Sequence, residues 1–383
     1  MSCVNRDDTK HIYYDVRIDN SYNGVDSSAS ERCSYQKQSI DILEKQSNYE
    51  LCVEHWSLRG QIPVMIAKIQ EGLNTNINLM PFSVCFESST GVDFKQDLIY
   101  TPPIINNSIP NPRPPSENNG LQDNSTRYYH IYTFQLFIDI INNAFESAYQ
   151  AFNAVNAGIH ASAPWVQYNY DTGTLKLIAE YSYSSGGPVN RAKVFCNALL
   201  FNYLESICVL FNGYNQVNGK DYLFDFTILV GNVLAYAVPP NVLTNPPDYV
   251  QLQQEYDLRY LWCNVKQILI TSSSISTREE YLPEIVRPQA IERKNNPFNP
   301  ASLPLLSYYD IVLNGSDGAS WRQNIYYEPK VRKWIDLVSD NALNNISIDI
   351  FIQLDNGEIL PLSLPSDATA NIRLLFRRKE NIF

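Results

Sequence analysis

The feature that most constrains this chain lies near its C-terminus. From Ile346 to Leu354, the apolar residues Ile346, Ile348, Ile350, Ile352 and Leu354 fall on every second position, with Ser347, Asp349 and Gln353 between them. A period of two is strand spacing, because successive side chains of a strand point to opposite faces. Asp355-Asn356-Gly357-Glu358 follows, and its Asn-Gly pair tolerates the positive φ of a type I′ hairpin turn, so Ile359-Leu360-Pro361-Leu362 folds back. A last strand, Asn371 to Arg377, sets Ile372, Leu374 and Phe376 against Arg373, Leu375 and Arg377. An all-β body therefore closes almost at the C-terminus.

A chain of 383 residues is longer than an average domain. It has room for two or three units, or for one large β domain carrying an insertion. The formal charge of −11 argues against a dedicated nucleic-acid binder, which needs a basic face to displace counterions from phosphate. Tyr, with 26 copies, outnumbers the 16 Phe and 5 Trp together, and suits half-buried sheet surfaces and interfaces. The seven cysteines, Cys3, Cys33, Cys52, Cys85, Cys196, Cys208 and Cys263, are odd in number and scattered, so neither a disulfide framework nor a zinc pair stands out. The first residues lack an apolar core, and no later stretch offers the roughly 20 apolar residues of a membrane span. Folding in a reducing cytosol is expected, where the sequons at Asn106 and Asn124 stay unmodified.

Along the chain, residues 11 to 18 read as a first strand. Gln38 to Leu43 and Tyr49 to Leu58 read as a pair joined by a charged turn. In the second of these, Tyr49, Leu51 and Val53 share a face, but by Trp56 and Leu58 the apolar parity has switched, which predicts a β-bulge near Glu54. Asn76 to Phe86 is a further strand. From Thr101 to Thr126, prolines crowd among Asn, Ser and Gly in a long loop. Thr133 then caps one strong amphipathic helix, with Phe134, Phe137, Ile138, Ile141, Phe145, Ala148, Tyr149 and Phe152 on one face. Trp165 to Tyr170 and Thr174 to Ala179 form a hairpin around Asp171-Thr172-Gly173. Phe195 to Glu205 is helical or irregular, and Ser206 to Phe211, Tyr222 to Val230 and Trp262 to Thr271 are strands. Pro-rich passages cover Val238 to Asp248 and Pro283 to Pro304. Tyr308 to Leu313 and Ile325 to Glu328 are shorter strands, and Val331 to Val338 a weak helical turn. No fixed period marks a solenoid or propeller.

No catalytic, cofactor-binding or metal-ligating residue is assigned. The four histidines, His11, His55, His130 and His160, stand far apart, with no metalloprotease spacing. Cys52 and His55 are an odd number of positions apart and point to opposite faces of a regular strand, although a bulge at Glu54 would bring them to one side. Carboxylates occur singly along strands, and their separations in space are not given by sequence. Gly186-Gly187-Pro188 is a turn, lacking the lysine and the strand-to-helix setting of a phosphate loop. The terminal Arg377-Arg378-Lys379 reads as a solvated tail, or as a contact for an acidic neighbour or nucleic acid. Aromatic strands also admit a sugar-stacking platform, which packing explains equally well.

Several of these segments, taken in order, resemble the penton (minor capsid) protein of virophages and polinton-like viruses. They are Tyr13 to Ile18, Ser47 to Leu58 with Ile62-Pro63-Val64, the helix Tyr132 to Phe145, Val194 to Phe201, Trp262 to Ser274, and Ile372 to Phe376. The resemblance implies an all-β single jelly roll of two packed antiparallel sheets with an inserted α+β projecting domain. Residues 1–100 and 260–383 would build the body, and 101–259 the insertion. It also implies a structural, non-enzymatic protein without cofactors, forming the pentameric vertex of an icosahedral double-stranded DNA virus. Its partners would be itself, as a homopentamer, the major capsid protein, and a host receptor or glycan, with no specific nucleic-acid binding. It would be made and folded in the host cytoplasm and end in the virion. A major capsid protein, which usually needs a longer chain for two jelly rolls, and a glycan- or receptor-binding jelly-roll spike are the alternatives.

Overall fold

In a computed structural model of the chain, the described residues are 11–19, 34–59, 62, 64–67, 79–101, 128–131, 134–169, 171–207, 209–211, 224–226, 233–234, 249–256, 264–277, 304–311, 324–362 and 369–379. The first strands are β1 (His11–Asp19), β2 (Ser34–Leu43), β3 (Tyr49–Arg59), β4 (Val64–Ala67), β5 (Leu79–Glu87), β6 (Asp93–Ile99) and β7 (Tyr128–Ile131). Helix α1 (Phe134–Val155) precedes β8 (Trp165–Asn169), β9 (Thr174–Glu180) and β10 (Lys193–Cys196). The short α2 (Ala198–Phe201) leads to β11 (Leu210–Phe211), β12 (Phe224–Asp225), β13 (Val233–Leu234) and β14 (Tyr249–Gln253). The C-terminal strands are β15 (Val265–Thr271), β16 (Leu305–Asp310), β17 (Asn324–Tyr327), β18 (Ile335–Asp336), β19 (Leu343–Leu354), β20 (Ile359–Pro361) and β21 (Thr369–Arg378).

Two compact units divide the chain. The first takes 1–62, 105–112 and 264–383, and the second takes 63–104 and 113–263. Residues 63–100, expected in the body, thus lie in the second unit, because β5 and β6 pair with each other and with β10 rather than with the early strands.

In the first unit one sheet runs β1-β21-β3-β17, with β18 also on β3, and the other runs β16-β15-β19-β2, with β20 also on β19. Lettering the eight main strands B to I in chain order gives B-I-D-G and C-H-E-F, the double Greek key of a jelly roll. All its ladders are antiparallel. The alternation read in the sequence sets the core: Ile346, Ile348, Ile350, Ile352 and Leu354 are all buried, as are Ile372, Leu374 and Phe376 on β21. Trp56 of the first sheet stacks on Tyr309 of the second at 5.7 Å between rings, and Tyr14 and Tyr35 join the sheets through their hydroxyls at 3.2 Å. On β3, Arg373 lies opposite His55 and Leu374 opposite Val53, so Glu54 is the extra residue of a bulge. That bulge is what turns Leu51 and Val53 and then Trp56 and Leu58 to the same interior.

Two local expectations are corrected. The β19–β20 connection is not a type I′ turn: Asn356 keeps a negative φ and Gly357 takes +83°. Gly357 N–H bonds to Leu354 O at 2.9 Å, and Glu358 N–H bonds to the Asn356 side chain at 2.9 Å. This is a type I turn closed by a glycine bulge, which needs only one left-handed residue. Residues 331–338 form no helical turn. Ile335 and Asp336 instead pair with Leu51 and Glu50 of β3, since the edge of that strand offers backbone partners that a helical turn would leave unused.

The second unit has sheets β11-β12-β10-β5-β6 and β13-β14-β9-β8, and the pair β4-β7. Helix α1 packs on β5, β6 and β8. Its apolar face is buried from Phe134 to Phe152 and meets Phe82, Phe86 and Phe94 edge-on or tilted, at 5.5 to 6.4 Å between rings. Asn142 lends the edge strand β8 a substitute partner, donating to Val166 O at 3.0 Å and accepting from Val166 N–H at 2.7 Å. Thr133 and the Pro-rich passages, including 102–127, lie outside the described residues.

Candidate functional site

The residues singled out for chemistry are held apart. Among the described residues, no three His, Cys, Asp or Glu side chains are placed to hold a metal. Cys52 and His55 do share the outer side of β3 beyond the bulge, but Cys52 is fully buried, and burial pushes its thiol up to about 11. His55 faces Tyr326, with rings 5.9 Å apart. Cys85 and Cys196 are buried thiols of the second unit, in no disulfide.

The basic C-terminus is tied into the sheet. Arg377 bonds to Glu50 and lies over the Trp334 ring at 4.0 Å, while Lys379 pairs with Asp336 at 3.0 Å and donates to Leu337 O. Arg332 pairs with Glu54, and Arg373 with Asp15 through two bonds of 2.6 and 3.1 Å. The outer face of the first sheet is thus a ladder of neutralised charges.

One polar cluster of the second unit escaped the sequence reading. His160, Ser182 and Glu180 resemble a hydrolytic triad in composition, but their order is wrong for one. Glu180, at the end of β9, accepts from Ser182 Oγ at 3.0 Å, Ser162 Oγ at 2.6 Å and Ala161 N–H at 2.9 Å. His160 Nδ1 lies 2.8 Å from Ser182 Oγ, and its Nε2 accepts from Ala192 N–H at 3.0 Å. With Nε2 accepting and the serine proton given to Glu180, the ring is the neutral Nδ1–H tautomer donating to the serine. A nucleophilic serine must give its proton to the imidazole, and here the proton runs the other way. The cluster is built to hold segments together. Apart from the bond between Ser182 and Glu180, its contacts join residues 18 to 32 positions apart in the chain, and no short motif spans them.

Another exposed feature belongs to the jelly-roll edge. Tyr308 on edge strand β16, Tyr326 and Tyr327 on edge strand β17, and Val331 just beyond are all exposed, with Val331 at 81%. The two edge strands meet through the buried Tyr309, whose ring stands 4.3 Å from that of Tyr327, and Lys333 lies over Tyr308 at 5.7 Å. Tyr13 is exposed on β1, at the other edge of the same sheet.

The strand order of the first unit is that of a jelly-roll protein, a fold that viral capsid proteins share with lectins and cupins. The family described as Sputnik minor capsid protein V18/19 matches residues 12–378. The chain belongs to that family. It is 33% identical to structural protein V19 of Sputnik virophage over 212 residues, which is 55% of this chain and 93% of V19. It is 30% identical to the uncharacterized Sputnik protein V18 over 155 residues, 40% of this chain and 89% of V18. Its structure matches a chain of the Sputnik virophage cryo-EM structure with a TM-score of 0.70 and 26% identity, covering 96% of this chain and 98% of that one. The mavirus penton protein shares the fold, with a TM-score of 0.56 at 14% identity and coverage of 96% and 99%. The protein is a structural component of a virion capsid.

Proposed function

We propose that the protein forms the vertex of an icosahedral double-stranded DNA virus capsid as a homopentamer, its sides meeting further copies and its base meeting the major capsid protein. The observation that carries this reading is the single B-I-D-G and C-H-E-F sandwich within a chain matched by a minor capsid family from residue 12 to 378. A head-to-tail contact around a fivefold axis uses two different edges of one sandwich. The exposed Tyr308, Tyr326, Tyr327 and Val331 at one edge and Tyr13 at the other supply aromatic surface for it. The second unit, 63–104 and 113–263, serves as the projecting domain, where a receptor or glycan would bind. The protein acts without catalysis or cofactor, is made and folded in the host cytoplasm, and binds no specific nucleic acid. Native mass spectrometry and negative-stain microscopy of the purified chain, alone and with its major capsid protein, test this. Rings of five support it. Trimers that pack hexagonally, or monomers that leave vertices empty, overturn it.

A further inference from the structure

In the second unit, the turn between β9 and β10 is built from local hydrogen bonds. Ser184 N–H reaches Tyr181 O at 2.9 Å, Gly187 N–H reaches Ser184 O at 2.9 Å, and Arg191 N–H reaches Pro188 O at 3.1 Å. Ala192 N–H is different, because it crosses to Nε2 of His160 in the loop after α1. An imidazole can accept that bond only while it is neutral, and Nδ1 already carries the ring's one proton. Protonation at Nε2 sets two N–H donors against each other inside the protein, with no acceptor left for the backbone amide. We propose that His160 is an acid-released latch: neutral, it clips the 184–192 turn to the loop after α1, and protonated, it lets that turn go while the helix and sheets around it hold.

The surroundings decide the sign. From β9, Glu180 reaches the ring through Ser182, and its negative charge favours an imidazolium. From the 3-10 turn after β9, Tyr183 lies flat on the ring at 3.6 Å, and from α1, Phe152 lies at 5.6 Å. Tyr149, also on α1, donates to His160 O, with Glu146 one turn before it. Burial outweighs the indirect carboxylate and holds the imidazole down at about 4 against an ordinary 6.5. A group whose pKa is depressed in the closed state costs nothing above the ordinary value, where both states are neutral. As pH falls from about 6.5 towards 4, the open turn takes up the proton first and closure weakens. Over that window the opening equilibrium rises on the order of a hundredfold.

Hydrogen exchange of the intact chain between pH 7 and 4, corrected for the intrinsic rate at each pH, reads the latch directly. The amides of Gly187, Arg191 and Ala192 should lose protection as pH falls, while those of α1 and β9 stay protected. His160→Gln, whose side chain does not titrate, should remove the acid step. Exchange at the His160 ring carbon measures its titration in the unaltered protein, so a poorly folding variant leaves the test intact. The latch is overturned if the turn's protection is flat to pH 4 while His160 titrates, if the acid step survives in His160→Gln, or if turn and helix lose protection together.

Discussion

At Gly187 the chain passes so close to the 3-10 turn before it that a Cβ would stand 2.3 Å from Ser182 O and 2.8 Å from its carbonyl carbon. Backbone cannot yield as a flexible side chain can, so Gly187→Ala should lower the stability of the second unit by about 1–3 kcal/mol, read as a lower melting temperature. Unchanged melting would mean that the turn has room to move. Asp15 is the opposite case. Arg373 holds its carboxyl below the usual carboxylate range by hydrogen bonding, and because the folded value is lowered, the stabilisation is present at neutral pH and lost in acid as pH falls through it. Both partners stand largely in solvent, so Asp15→Asn should cost no more than about 1 kcal/mol, and less at high salt. The sequence made these residues legible to different degrees. The bulge at Glu54 was visible because a parity switch along one strand has few other causes. The Asn-Gly turn was misassigned because the same dipeptide suits a turn with one left-handed residue as well as a turn with two. His160 read as one of four isolated histidines because Ser182, Glu180 and Ala192 converge on it only through the fold.

At the scale of elements, legibility followed length and period. Helix α1 and strands β3, β19 and β21 announced themselves because each has long enough apolar spacing to separate a period of two from one of 3.6. Strand β18 has two residues and no period, and only its pairing to β3 defines it. The jelly-roll order was legible through family resemblance alone, because strand pairing joins residues as far apart as His11 and Arg377. Two predictions belong here. Phe145 is fully buried in α1 against Phe86, so Phe145→Ala should cost roughly 3–5 kcal/mol and lower both soluble yield and melting temperature. A variant that melts with the unaltered protein would show that the helix face does not rest on its sheet. Deleting Glu54 should cost far less than Phe145→Ala, because removing the extra residue of the bulge leaves Leu51, Val53, Trp56 and Leu58 in regular alternation on the interior face. Loss of soluble, cooperatively melting protein from that deletion would contradict the bulge.

At the scale of the whole molecule, the net charge of −11 sets identical copies against one another, so a ring must be held by groups that do not repel. Among the described residues of the first unit, Tyr326 at 63% exposure and Val331 at 81% are the most exposed large apolar side chains, and neither is needed by the core. Replacing both with Ser should therefore change the monomer's stability by no more than about 0.5 kcal/mol each. If they sit centrally in a contact between copies, the same change should weaken each contact by about 2 kcal/mol or more, and the loss is repeated at every interface of a closed ring. Mass photometry across a dilution series should then show pentamers dissociating at a much higher concentration than the unaltered protein, with the melting curve of the monomer unmoved. Raising salt should favour rings of the unaltered protein, since screening relieves the repulsion and leaves apolar contacts in place. Val189, 94% exposed in the second unit, supplies the control, and Val189→Ser should leave assembly as it was. Rings that survive dilution equally well in the double variant would move the contact away from the β16–β17 edge.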